Sequence, residues 1–512
     1  MPKLTADEVL TQQHVRGFIT YGPPQPGNTA LYYGIRAQYF TVTGVANPVQ
    51  GGISPINAPD PLRRKAYRRI GRQVEPPDFG TFDLTLMHKH GTVPKALGDL
   101  ATCEIGVHLT TGKCKNPSDL NRGYESWLYI LAGGEVTDRD NGDLFPMDSD
   151  EALTTALTIT TAEQYAVGPL AFGETAGAEV NAEVVDLAFA PAATCKDCDT
   201  GSSRIYAITR AIGGSPTYQA EVVYSVDGGS TWTNVNITGL SAAASPTAID
   251  VVGDYLVVLA NSANALYYAA IDPDTGAPGT WTSVTTGFAT GGNPNDLWVA
   301  SPTEVYIAGN GGYIYRSRDI TAGVTVLSAG TVTTQNLNRI HGQDETIVAV
   351  GNAQQVVISR NRGQSWATPQ QAVPVSANAT AVCVKSDTHY WVGFGNGAVY
   401  YTLTSGKSWA ADTESAPSAT GVQDIVFPTA HVGYLAYTVS GPEARLSATV
   451  DGGDTWASGP ARILGAFPVH DRTNRIAVPD SDAQTSANVV ALGGLAGDGS
   501  EGVIYLGAAN IV

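Results

Sequence analysis

The sequence predicts an all-β chain: a region of strand-like patterns over residues 1–180, then a seven-bladed β-propeller over residues 181–512, with six blades as the alternative count. Three observations predict it. The first is an octet, Ser225-Val226-Asp227-Gly228-Gly229-Ser230-Thr231-Trp232, which returns almost unchanged as Thr449-Val450-Asp451-Gly452-Gly453-Asp454-Thr455-Trp456. Its skeleton persists in Ser359-Arg360-Asn361-Arg362-Gly363-Gln364-Ser365-Trp366 and in Thr402-Leu403-Thr404-Ser405-Gly406-Lys407-Ser408-Trp409. Degenerate copies fall at Asp272, Asp274, Gly276 and Trp281, and at Ser317-Arg318-Asp319 with Gly323. The spacing is then about 40–49 residues, a period that reads as propeller blades. The second is composition: 57 Gly and 29 Pro with only 15% charged residues favour turn-rich β structure over helices. The third is that strand-like runs precede the octets: Glu221–Tyr224, Val356–Ile358, Ala398–Tyr401 and Leu446–Ala448.

Each octet position has a physical role. The Asp or Asn accepts from backbone N–H groups just ahead and holds a tight turn. Glycine supplies positive φ without a steric cost. The Trp is a large apolar anchor suited to the gap between blades. These residues resemble the Asp-box, S-x-D-x-G-x-T-W, of the BNR repeat, a family that includes sialidases, sortilin-type receptors and photosystem-assembly propellers. The resemblance implies structural roles in outer blade turns, away from any active site. It covers Ser225, Asp227, Gly229 and Trp232; Ser359, Asn361, Gly363 and Trp366; Thr402, Gly406 and Trp409; and Thr449, Asp451, Gly453 and Trp456. Trp232, Trp366, Trp409 and Trp456 are expected to be largely buried at equivalent places.

In the propeller, Val184–Phe189, Arg204–Thr209 and Glu221–Tyr224 read as the first blade. Inner strands of later blades are expected at Tyr255–Leu259, Glu304–Ala308, Thr346–Val350, Tyr390–Phe394 and Val432–Ala436. The last set, Arg475–Val478, Val489–Gly493 and Val503–Leu506, has no octet and no evident outer strand. Small residues at Gly173-Glu174-Thr175-Ala176-Gly177-Ala178 suggest a flexible boundary near 175–183, so that residues 183–512 should fold alone.

The N-terminal region offers strands at Phe18–Tyr21, Arg36–Val45, Thr81–Met87, Trp127–Ala132 and Asp148–Thr160, and a short helix at Pro94–Leu100. A basic cluster, Arg63, Arg64, Lys65, Arg68, Arg69 and Arg72, can be read as a nucleic-acid contact. The favoured reading is outward arginines meeting acidic residues of a neighbouring subunit, because Glu135, Asp138, Asp140, Asp143, Asp148, Asp150 and Glu151 lie in the same region. Arg63, Arg64, Arg68 and Arg69 are the inter-subunit candidates. The cluster after Pro59-Asp60-Pro61, with Lys95–Leu100, Val136–Asp140, Asp148–Glu151 and Leu170–Glu174, looks like phage tail tube (major tail) proteins. That resemblance implies a β-sandwich or barrel over residues 1–180 that assembles into stacked homo-hexameric rings around a DNA channel, with other tail proteins as partners and assembly into a virion in the host cytoplasm. DNA would pass without sequence-specific binding, and the propeller would face outward, with a host-surface glycan as a possible ligand. The alternatives are a non-catalytic scaffold or assembly propeller and a glycan-binding one.

Charge and motifs narrow the classes. The net charge is −18, of which −5 falls on residues 1–180 and −13 on the remainder, so nucleic-acid binding is not expected as the main function. No run of eighteen apolar residues exists, so membrane insertion is not expected. The polar start, Met1 to Glu8, has no apolar signal core, so export by a signal peptide is not expected. Cys195 and Cys198 have metal-knuckle spacing, and Cys103 and Cys114 could pair across a hairpin. Zinc needs four ligands and no second pair accompanies them, so structural thiols are favoured over a local disulfide or a metal. His88 and His90 likewise have no third ligand nearby. Sialidases carry an Arg-Ile-Pro ahead of the first blade; here Arg462-Ile463-Leu464 and Arg475-Ile476-Ala477 stand at the opposite end. Gly406-Lys407-Ser408 ends like a phosphate loop, but Tyr401 occupies the place of its first glycine. No catalytic residue, metal or cofactor is therefore expected.

Overall fold

A computed structural model describes the strands of the N-terminal region and positions 25–26, up to residue 167. Beyond that it describes the chain except for 169, 181, 192–203, 213–219, 242–244, 442, 459–462, 465–466, 469, 481–482, 498, 500 and 510–512. The chain divides into two compact units after Val167.

In the first unit the strands are β1 (Val15–Tyr21), β2 (Thr29–Ala30), β3 (Phe40–Thr41), β4 (Ile53–Pro59) and β5 (Tyr67–Val74). They continue with β6 (Thr81–Met87), β7 (Ile105–Thr111), β8 (Leu128–Asp140), β9 (Thr154–Thr160) and β10 (Glu163–Val167). One antiparallel sheet runs β2-β1-β7-β8-β9-β6-β3, with β10 on the first half of β8. The strands expected at 18–21, 81–87 and 127–132 are present. Of the span expected at Arg36–Val45, Phe40–Thr41 is the described strand. The expected helix at 94–100, His88, His90, Cys103, Cys114, Cys195 and Cys198 lie outside the described residues. Strands β4 and β5 pair with each other, in register from Ile53↔Val74 to Pro59↔Tyr67, and with no other described strand.

The second unit starts with β11 (Leu170–Val180). Seven sheets follow as blades. Blade 1 is β12 (Ala182–Phe189), β13 (Ile205–Ala211), β14 (Glu221–Ser225) and β15 (Thr233–Asn236). Blade 2 is β16 (Pro246–Val252), β17 (Tyr255–Ala260), β18 (Ala265–Ala270) and β19 (Thr282–Val284). Blade 3 is β20 (Pro294–Ser301), β21 (Glu304–Gly309), β22 (Tyr313–Ser317) and β23 (Thr325–Ala329). Blade 4 is β24 (Leu337–Gln343), β25 (Thr346–Gly351) and β26 (Val356–Ser359). Blade 5 is β27 (Ala379–Val384), β28 (Tyr390–Phe394), β29 (Val399–Thr402) and β30 (Ala410–Asp412). Blade 6 is β31 (Ala419–Val426), β32 (Gly433–Val439), β33 (Glu443–Thr449) and β34 (Ala457–Ser458). Blade 7 combines β35 (Ile463–Leu464), β36 (His470–Ala477), β37 (Val489–Ala496) and β38 (Glu501–Ala508) with β11, in the order β35-β11-β38-β37-β36. The count is seven, not six.

Two expectations are corrected. The strands expected to be innermost, at 255, 304, 346, 390 and 432 onward, are the second strands of their blades; the innermost are β16, β20, β24, β27 and β31. A second strand is covered on both faces by neighbouring blades, so it reads as an unbroken apolar run; all six residues of Thr346–Gly351 are buried. An innermost strand borders the axis and alternates with polar residues, which hides it in a hydropathy reading. The second correction concerns the boundary. Residues 173–178 are not a linker: they belong to β11, which pairs antiparallel with β38 from Ala171↔Ala508 to Val180↔Glu501. The outer strand missing from the last blade is thus supplied from ahead of the first, and the two ends of the propeller close one sheet.

Apolar clusters fill the gaps between blades. Trp281, Trp366, Trp409 and Trp456 each pack where their blade meets the one before it. Trp232 does the same between blades 1 and 7, near Leu187, Ala491 and Ile504. Burial is unequal: of the four expected to be largely buried, Trp456 is and Trp232, Trp366 and Trp409 are not. Trp456 is 6% exposed, whereas Trp232, Trp366 and Trp409 are half-buried. An octet at the outer turn leaves one face of the indole at the rim. Trp456 is covered because Trp391 and Phe427 pack edge-on to it, with centroids 5.5 and 5.8 Å away. Trp456→Ala is expected to cost about 3–5 kcal/mol and Trp232→Ala about 1–3 kcal/mol. Urea denaturation of both variants checks this; equal losses would contradict the difference in burial.

Candidate functional site

The octets are hydrogen-bonded turns that follow the third strand of their blades, leading to an outer strand in blades 1, 5 and 6 and to the single bridge Ile358↔Ala367 in blade 4. In blade 1, Ser225 Oγ donates to Asp227 Oδ1 at 2.8 Å and accepts from Gly229 N at 2.8 Å. Asp227 also accepts from Thr231 N and Thr231 Oγ1, at 2.8 and 2.6 Å, which holds its carboxyl down at about 2. Thr449, Asp451, Gly453 and Thr455 repeat the pattern within 0.1 Å. Asn361 receives Ser365 N at 2.9 Å and Gly363 N bonds Ser359 Oγ at 2.8 Å. In the fourth copy Thr404 Oγ1 replaces the carboxylate, accepting from Ser408 N at 2.9 Å, while Gly406 N bonds Thr402 Oγ1 at 3.0 Å. Gly453 sits at φ 100°, and a Cβ there would meet the Trp391 ring at 2.4 Å, so both backbone and space require glycine. Asp451 has the same bonds as Asp227, but burial outweighs them and raises its carboxyl. These groups bond one another within each turn, an arrangement suited to holding strands in place.

The charged centre of the propeller lies elsewhere, on the innermost strands. Arg475, on β36, gathers three carboxylates from three blades. Asp186 Oδ1 is 3.1 Å from its Nε, Asp424 Oδ1 is 3.8 Å from Nη1, and Asp296 Oδ1 accepts from Nη2. Each aspartate also binds the next blade: Asp186 accepts from Ile249 N, Asp296 from Ile340 N and Asp424 from Ile476 N, all at 2.9 Å. Burial pushes Asp186 up to about 6 although Arg475 opposes it, and pushes Asp250 up to about 7. Burial also raises Asp424 and lowers Arg339. It opposes the charge on Arg475 as well, but the three carboxylates together carry that guanidinium above its ordinary value. Nearby, His341 is held down at about 4 by burial, and its Nδ1 accepts from Val384 N at 3.1 Å. The cluster ties blades 1, 3, 6 and 7 together by charge, although the Nε atoms of Arg475 and Arg339 are buried without a hydrogen-bond partner.

A second set of seam contacts comes from β-bulges. Each innermost strand of blades 2–5 has an extra residue near its start, Thr247, Asn295, Asn338 and Thr380, and that of blade 3 has a second at Ala300. A bulge re-aims its side chain, here to the next blade. Thr247 Oγ1 donates to Pro294 O at 3.3 Å and Asn295 Nδ2 to Leu337 O at 2.7 Å. Asn338 Nδ2 donates to Ala379 O at 3.0 Å and Thr380 Oγ1 to Val422 O at 2.6 Å.

The residues singled out in the sequence therefore fall in separate places. The octets occupy the outer turns of blades 1, 4, 5 and 6. Arg68 and Arg69 lie on β5, opposite Ala58 and Asn57, while Arg63 and Arg64 are outside the described residues. The axial carboxylates and the bulge residues were not anticipated. A signal for the carboxylates exists: an Asp followed by an aliphatic residue recurs in Asp186-Leu187, Asp250-Val251, Asp296-Leu297 and Asp424-Ile425. Among the described residues no cluster of His, Cys, Asp and Glu fits a metal, and Cys383 is a buried free thiol.

No family model matches the chain, and no curated protein matches it. Solved structures similar to it include YCF48 bound to D1 peptide, at 15% identity and TM-score 0.48, over 67% of this chain and 96% of that one. YCF48 from Cyanidioschyzon merolae is 14% identical with TM-score 0.47, over 66% and 98%. The WD40 repeats of RRP9 are 10% identical with TM-score 0.48, over 67% and 100%. Likenesses of this degree assign no function, and the seven blades stand on the strand pairing itself.

Proposed function

We propose that the chain is a non-catalytic structural protein of a phage virion, a tail tube subunit that assembles through its N-terminal unit and carries the propeller as a decoration. The observation that carries this is the β4–β5 ribbon. Among the described residues its strands pair only with each other, and a two-stranded ribbon is marginal by itself in water. It gains stability from another surface. Strand β5 holds Arg68, Arg69 and Arg72, and the acidic residues of the same region give a second copy the complementary charge, which sets register and partner choice. The resemblance of residues 15–180 to tail tube proteins supports stacked hexameric rings with other tail proteins as neighbours. The net charge of −5 there lets DNA slide through, since affinity for DNA comes from neutralising phosphates. The Asp-box reading of the octets fits a scaffold role, because their polar groups are engaged within the turns.

Negative-stain microscopy of the concentrated full chain tests the proposal. Rings or tubes are expected. The variant with Arg63→Glu, Arg64→Glu, Arg68→Glu and Arg69→Glu is expected to stay monomeric with its tryptophan fluorescence unchanged. A full chain that remains monomeric at high concentration refutes the tail tube reading, and a quadruple variant that still forms rings removes the arginines from the contact.

A further inference from the structure

The relay of bulge residues stops at one place on the ring. In blade 6 the bulged Thr420 turns back and donates to Thr438 O of its own blade, at 3.2 Å. In blade 7 the equivalent bulged residue is Asp471, whose carboxylate has no proton to donate. The final seam, from blade 7 to blade 1, is made by a different bulge, with Asn474 Nδ2 donating to Val184 O at 2.7 Å. A cleft of about 490 Å³ opens where the relay is interrupted, lined by Thr380, Thr420, Gln423, Thr438, Asp471 and Arg472.

Two acceptors in this cleft, Gln423 Oε1 and the Asp471 carboxylate, have no hydrogen-bond partner among the described residues. Gln423 is a second bulge residue of β31, and its Oε1 is buried with no hydrogen-bond partner. A buried acceptor without a donor carries a desolvation cost that a ligand can remove. Asp471 makes no ion pair or hydrogen bond among the described residues. Arg472 is directed to Glu183 Oε2 at 2.6 Å and Asn474 Oδ1 at 2.7 Å. The hydroxyls of Thr380, Thr420 and Thr438 already donate to backbone carbonyls, which leaves their oxygens to accept.

We propose that this cleft between blades 5, 6 and 7 binds a basic side chain, lysine or arginine, presented by a partner polypeptide. Asp471 pairs with the cationic head, and Gln423 Oε1 and the threonine oxygens accept its N–H groups. A cationic donor group is what unpaired acceptors beside a free carboxylate select. The net charge of −13 over residues 181–512 attracts such a partner from a distance. The proposal is independent of the assembly reading, since it concerns the propeller alone.

The test uses the full chain and blocked tripeptides with arginine, lysine or alanine at the centre, titrated calorimetrically at low salt. The basic peptides are expected to bind about tenfold more tightly than the alanine peptide, and Asp471→Asn to remove about that factor. Gln423→Leu is expected to weaken binding with thermal stability kept or raised, because it deletes an unsatisfied acceptor. Asp344→Asn, an exposed change in the turn at the far end of β24, serves as control and leaves binding unchanged. Equal affinity for the alanine peptide, no loss in Asp471→Asn, or no binding at millimolar peptide overturns the proposal. Selective binding of neutral sugars in the same titration also overturns it, in favour of a glycan site.

Discussion

A chain that begins at residue 183 is expected not to fold as a propeller, whereas one that begins at Gly168 unfolds in a single cooperative transition. The difference between them is β11. That strand pairs along β38 from Ala171 to Val180 and with Ile463–Leu464 on its other edge. Leu170 is fully buried, and Phe172 packs edge-on to Phe467 at 5.4 Å and against Gly507. Gly168 N adds a hydrogen bond to Asn488 Oδ1 at 2.9 Å. Removing the strand exposes the ladder edge of β38 and breaks the covalent link by which a strand of the last blade runs on into the first. The loss is at least about 5 kcal/mol, comparable to the whole net stability of a domain. An exposed strand edge also invites edge-to-edge aggregation. Circular dichroism melts of the two fragments decide it: equal melting temperatures would show that closure through β11 contributes little.

Arg475→Met is expected to destabilise the propeller by about 3–5 kcal/mol at pH 8, because it leaves three buried carboxylates without their cation. The pH dependence follows from the raised carboxyls. Asp186 and Asp250 are already lifted from 3.8 to about 6 and about 7. Groups raised on folding bind more protons folded than unfolded, so stability is greatest at low pH and falls as pH rises through the folded values. In the parent protein this places a decline between about pH 4 and 7. Without Arg475 the carboxyls rise further, the decline extends to higher pH, and the deficit at pH 5 is smaller than at pH 8. Asp250 is the counter-test. The charges around it are Asp186, Asp296 and Arg475. Asp250→Asn removes a group that is costly to ionise and is expected to gain stability at pH 8 and little at pH 5. Urea melts at the two pH values measure both variants. A deficit for Arg475→Met that is equal at pH 5 and 8 would place its cost in packing rather than charge.

Much of the architecture was legible because an octet turn is a local device. Ser225 or Thr449, Asp227 or Asp451 and the following glycines close the turn with groups at most a few residues apart, so sequence spacing alone reports it. The same is true of the second strands, whose burial on both faces leaves a continuous apolar run such as Thr346–Gly351. The N-terminal strand candidates at 18–21 and 81–87 fall within described strands, and the threonine alternation before Thr160 marks Thr154–Thr160, whereas of the alternating span Arg36–Val45 the described strand is Phe40–Thr41. The innermost strands were not legible, because their polar residues look like loop material until the axis they border is known.

By itself the sequence determined the repeat, the turns that define it, the all-β class and the acidic balance of the propeller. Tertiary structure alone decided how the ring closes and what lies at its centre. Strand β11 reads as a linker because its small residues carry no pattern, and only β38, more than 300 residues away along the chain, gives it a partner. Asp186, Asp296, Asp424 and Arg475 are ordinary charges one blade at a time. They become one cluster because the circular arrangement brings the innermost strands of blades 1, 3, 6 and 7 to a shared, water-poor axis, where ion pairing and burial act together.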